Sequence, residues 1–129
     1  MDKQEKIQYW IDISDYDLET ARAMLSSKRY LYVVFMCQQA MEKIIKALYI
    51  NQFDQEPPRS HNLAFIFKKI KIPASEDTLK FFNILSAHYI ENRYPEYKKK
   101  LSTSLNTNKA EDYLSKTEEV YKWIKSLLK

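Results

Sequence analysis

Across 129 residues the chain contains no glycine. That absence removes phosphate-cradling glycine loops, dinucleotide-binding fingerprints and glycine hairpin turns, all of which depend on a residue without a Cβ. Long segments with a 3.6-residue apolar period remain, and such a chain reads as all-α. Its length suggests one domain, residues 1–129. Hydrophobic residues make up 45% of it, enough for an ordinary core and too many for wholesale disorder.

The most apolar stretch runs from Tyr30 to Ile50. One stripe is Val33, Cys37, Ala40, Ile44 and Ala47, and a second is Val34, Met41, Ile45 and Leu48. Spacings of three and four give a helix that buries a wide face, about 32 Å long at about 1.5 Å per residue. Only Gln38, Gln39, Glu42, Lys43 and Lys46 interrupt it. These polar residues would be costly in lipid, so the segment is a central core helix and no membrane span.

The other helices follow from the same period. The first is expected from Gln4 to Leu25, on the stripe Ile7, Ile11, Ser14, Leu18, Ala21 and Leu25, joined to the central helix by a short turn. Asp12, Asp15, Glu19 and Arg22 form its solvated face. Pro57-Pro58 places a loop at 53–59, and a short helix is expected at about 62–71. Ser75 reads as the cap of a fourth helix, with Leu79, Phe82, Leu85 and Tyr89 inward, ending before Pro95. A fifth should begin near Lys109, capped by Thr107 or Asn108, with Ala110, Tyr113, Thr117, Val120, Ile124 and Leu127 inward. The expected fold is an up-and-down antiparallel bundle of four long helices plus one short helix.

A net charge of +4 permits a phosphate-bearing partner without demanding one. Cys37 is the only cysteine, so there is no intrachain disulfide and no cysteine-based zinc site. Within an apolar run it reads as a buried structural thiol. No metal or cofactor is expected. The first ten residues lack the apolar region of a signal peptide, and the expected location is the cytoplasm.

Four stretches in order carry a resemblance: W-I-x-x-S-D-Y-D-L-E-T-A from Trp10, R-Y-x-x-x-V-F-x-C-Q-Q-A-M-E-K-x-x-K-A from Arg29, R-S-H-N-L from Arg59 and E-N-R-Y-P from Glu91. Together they resemble the HEPN domain over nearly the whole chain. The resemblance implies a compact helical bundle that forms homodimers. It also implies pairing with a separately encoded minimal nucleotidyltransferase in toxin–antitoxin systems. In many active members it implies a metal-independent RNase whose arginine is followed four to six residues later by a histidine. This chain departs from that last pattern, because no histidine follows Arg93, and Arg59 precedes His61 by only two residues.

Seven groups of residues are candidates for chemistry. Arg93, at a helix end, could grip a phosphate bidentately or cap carbonyls. His61 could act as general base or acid on a ribose 2′-hydroxyl, since imidazole is the side chain whose charge changes near neutral pH, or could hydrogen-bond a loop. Arg59 is a phosphate contact candidate. Tyr94 and Tyr97 could stack on bases, be covalently modified by a nucleotidyltransferase partner or pack at a dimer interface, and Lys98, Lys99 and Lys100 could bind RNA phosphates or form a solvated run. His88 reads as a packed or interface histidine. Gln38, Gln39 and Lys43 either line a polar site at the dimer interface or face solvent. Three functional readings follow: an interaction module for nucleotide or RNA and a nucleotidyltransferase-like partner, as the toxin-side component of such a pair; a metal-independent endoribonuclease using Arg93 and His61; and a helical scaffold without a ligand site.

Overall fold

The computed structural model describes residues 1–92 and 104–128, with side chains for all of these except 90–92. They form five helices: α1 Lys3–Ser26, α2 Tyr30–Phe53, α3 Leu63–Ile70, α4 Glu76–Asn92 and α5 Thr107–Leu127. The all-α bundle of four long helices and one short one is therefore present, and its boundaries fall within three residues of the periodic pattern.

The lack of glycine shapes how the helices end. Lys28, Asp54 and Lys71 adopt left-handed conformations, with φ of 61°, 52° and 62°. A residue with a Cβ pays about 1–2 kcal/mol there, so the hydrogen bonds that close each turn must offset it. After α1, Lys28 N–H donates to Leu25 O at 3.1 Å and Arg29 N–H to Met24 O at 2.8 Å. This closes the tight reversal that lays α2 back against α1. After α2, Asp54 N–H donates to Ile50 O at 2.8 Å.

Helix starts follow side-chain capping. Asp2, Asn62 and Asn106 accept from the N–H groups of Glu5, Phe65 and Lys109 at 2.8, 3.1 and 2.9 Å. Ser75 Oγ accepts from Thr78 N–H at 3.1 Å, as expected. The expected cap of α5 is corrected: it is Asn106, not Thr107 or Asn108, because Asn106 alone is extended and lies three residues before the N–H it receives.

Helix α2 packs against each of the other four helices. Val33, Cys37, Ala40, Met41, Ile44, Ile45 and Ala47 are inaccessible. Each buried Ile or Met side chain contributes about 1.5–3 kcal/mol of apolar transfer. Small residues let α1 approach closely: Ser14 and Ala21 are fully buried, and Ser14 Oγ–H donates to Ala40 O at 2.6 Å. Phe67 of α3 meets Phe82 of α4 and Trp123 of α5, at centroid distances of 5.4 and 5.8 Å. Phe81, Leu114 and Tyr121 join the core beside the stripes read from the sequence. Among the described residues no helix is long and apolar enough to cross a membrane.

Candidate functional site: a carboxylate-held histidine on the central helix

The polar residues of α2 do not all face water. Gln38, Glu42 and Lys46, spaced four apart, are buried, so a polar stripe runs along the interior side of the most apolar helix. Buried polar groups need partners, and these find them in one another. Glu42 Oε1 accepts from Gln38 Nε2 at 3.1 Å and lies 2.9 Å from His61 Nδ1; Glu42 Oε2 accepts from Lys46 Nζ at 3.0 Å. The network continues outward. Gln39 Nε2 donates to Gln38 Oε1 at 2.7 Å, and Lys43 Nζ donates to Gln39 Oε1 at 3.0 Å and to Asp17 Oδ2 of α1 at 2.7 Å. Gln38 is buried and Gln39 and Lys43 are half-buried, and all three hydrogen-bond within the chain.

Burial alone would raise the Glu42 carboxyl. The hydrogen bonds from His61, Gln38 and Lys46, with the Lys46 charge, outweigh it and hold the group below the usual glutamate value. Lys46 is held on its other side by Trp10, whose ring centroid is 5.7 Å from the ammonium.

His61 stands where this network reaches the surface. Its side chain is 47% exposed while that of Glu42 is 6% exposed. Three bonds fix its loop: Gln38 Nε2 donates to His61 O at 3.1 Å, Asn62 caps α3, and Leu63 N–H donates to Ser86 Oγ of α4 at 3.0 Å. With Nδ1 on the carboxylate, the neutral imidazole carries its proton there and keeps Nε2 as an acceptor. One face of the ring lies on Tyr89 of α4, at 4.4 Å between centroids and tilted by 32°. Tyr89 in turn stacks on Phe35 of α2 at 5.7 Å and 13°.

Of the other sequence candidates, Arg59 is exposed on the same loop as His61. Arg93, Tyr94, Tyr97, Lys98, Lys99 and Lys100 lie outside the described residues. His88 is half-buried, with Nε2 2.9 Å from Tyr113 Oη of α5, which fits the packed reading. Cys37 is inaccessible, and its burial pushes the thiol up to about 12 against a weaker lowering contact with Thr117. A groove of about 360 Å³ lies between α4 and α5, lined by Phe81, Lys109, Asp112, Tyr113 and Lys116. Among the described residues no three metal-ligating side chains cluster.

The sequence did not single out Glu42, Tyr89 or Phe35 for this site. The signal for Glu42 was visible as an acid inside the most apolar helix, flanked at four-residue spacing by Gln38 and Lys46. Nothing in the linear order linked it to His61, nineteen residues on.

The fold and this arrangement define a small helical domain with a buried carboxylate presenting a loop histidine. A profile of the HEPN domain matches residues 7–127, and the chain belongs to that family. Two solved structures share the fold. TT1696 from Thermus thermophilus superposes with a TM-score of 0.81 at 20% identity, covering 95% of this chain and 98% of that one. ST0689, described as an archaeal HEPN homologue, gives 0.76 at 22% identity, with 95% and 98% covered. No curated protein matches the chain.

Proposed function

We propose that the protein is an interaction module that binds nucleotide or RNA and works with a separately encoded nucleotidyltransferase-like protein, as the toxin-side component of a toxin–antitoxin pair. Family membership supports the reading. The observation that carries it is His61: a half-exposed imidazole fixed by a buried carboxylate, two residues after the exposed Arg59. A guanidinium and an imidazole on one short loop are the side-chain types that suit a phosphate and its adjoining sugar or base. Arg93, Tyr94, Tyr97 and Lys98 to Lys100 follow Tyr89 closely in sequence and are of the basic and aromatic types that RNA binding uses. The exposed Tyr9, Tyr16, Phe65 and Ile84 offer apolar area for a homodimer or for the partner protein.

A second reading, a metal-independent endoribonuclease, is favoured by the way Glu42 holds the ring. An imidazole whose Nδ1 rests on a carboxylate presents Nε2 as a base. His61 would take the 2′-hydroxyl proton, the 2′-oxygen would attack phosphorus, and the 5′-oxygen would leave with a proton returned from the imidazolium. Arg93 would stabilise the phosphorane charge.

The test is total cellular RNA with EDTA present, followed for both retention and cleavage, with wild type, Arg93→Ala and His61→Ala. Binding without cleavage, weakened by the substitutions, is the expected result. Cleavage that both substitutions abolish makes the protein a nuclease. Folded protein that neither binds nor cuts RNA, binds no nucleotide and retains no nucleotidyltransferase from its own host overturns the proposal.

A further inference from the structure

We infer that Phe35, Tyr89 and His61 form a stacking column whose open end, the His61 ring, receives an unpaired purine base of single-stranded RNA. The inference rests on the RNA-binding reading and names the chemical group that the site would hold.

The three rings come from separate parts of the chain: α2, α4 and the loop before α3. Phe35 and Tyr89 are stacked at 5.7 Å and 13°, and the His61 ring leans on Tyr89 at 4.4 Å, tilted by 32°. Tyr89, 8% exposed, is enclosed between the half-buried Phe35 and His61, whose side chain is 47% exposed, so His61 is the more open end of the column. One face of the His61 ring is on Tyr89 and its Nδ1 edge is on Glu42. Beyond these two contacts, 47% of the side chain remains open to solvent.

The ring is also preorganised. The carboxylate fixes its rotation, Gln38 and Ser86 fix its loop, and little side-chain freedom remains to be lost on binding. A stacking face accepts any base but gains most from the larger purine ring. It can reach a base only where that base is not already stacked in a duplex. Arg59, exposed two residues earlier, is placed to meet the neighbouring phosphate. A purely structural His61, present only to satisfy Glu42, would need its Nδ1 and not its ring face.

Fluorescence polarisation of labelled oligoadenylate and oligouridylate against the full chain separates these roles. Oligoadenylate is expected to bind more tightly. His61→Ala should lose roughly 5- to 150-fold, the range one stacked base contributes. His61→Phe, which keeps a ring but no donor for Glu42, should restore most of that loss. His61→Gln, which keeps a donor but no ring, should not. Tyr89→Leu should weaken binding by removing the support beneath the ring. Restoration by Gln and not by Phe overturns the stacking role, as does binding unaffected by all four substitutions, and both leave the RNA-binding reading standing. Wild-type protein that binds neither oligonucleotide nor total RNA overturns the reading and the inference together.

Discussion

Replacing Glu42 by Gln keeps the shape of the side chain and removes its charge. The amide retains one acceptor oxygen where the carboxylate had two, and puts an NH₂ group against one of three donors: Gln38 Nε2, His61 Nδ1 or Lys46 Nζ. The largest consequence falls on Lys46, whose side chain is only 10% exposed and would keep a charge without its counter-ion. Removing one partner of a buried pair costs about 3–5 kcal/mol. Trp10 faces the ammonium before and after the substitution and so cancels from the difference; the amide keeps one acceptor oxygen, so the low end of that range, about 3 kcal/mol, is expected. Against a total of about 5–15 kcal/mol for a domain this is a large share. It corresponds to about 10 °C in Tm for a chain of this length. Urea unfolding at neutral pH, read by circular dichroism, gives the number. Adding Lys46→Met should recover part of the loss, because the unpaired ammonium is then gone. A loss below about 1 kcal/mol for Glu42→Gln, or a double variant less stable than the sum of the two single changes, would refute the reasoning.

The same carboxyl predicts a pH dependence. Its folded value lies below its unfolded one, so its stabilisation is present above the ordinary glutamate range and is lost as pH falls through the depressed folded value. Stability measured downward from about pH 4.3 should fall more steeply for wild type than for Glu42→Gln. Cys37, buried and raised to about 12, should resist a thiol reagent at pH 8 until the chain is unfolded in urea, and prompt labelling of native protein would contradict the burial. Lys28→Gly should stabilise the α1–α2 turn by up to about 1 kcal/mol, since glycine adopts the left-handed conformation without Cβ strain; a loss in thermal unfolding would show that the lysine side chain matters there.

Helix positions were legible because each rests on local chemistry. The apolar stripes of α1 and α2, the proline stops and the Ser75 cap are short-range signals, and the structure moved their boundaries by little. The α5 cap was misplaced because Asn106, Thr107 and Asn108 are all competent caps, and only the backbone conformation at Asn106 distinguishes them. The fate of Gln38, Glu42 and Lys46 was not legible for a different reason. A polar stripe on a helix reads the same whether water or another helix faces it. Burial of Glu42 depends on the loop before α3 folding back over α2 to deliver His61, and on α1 bringing Trp10 to Lys46.

The sequence by itself determined an all-α chain without glycine, a central apolar helix, the order and length of the others, and the family motifs that run through them. Only the tertiary structure decided that the acid inside the central helix holds the loop histidine, and that this histidine ends a column of rings drawn from three segments. Periodicity and capping act over a few residues and leave their record in local order. The buried ion network joins its helical four-residue pairs to residues nineteen to twenty-six away, and those links exist only once packing has removed the water between them.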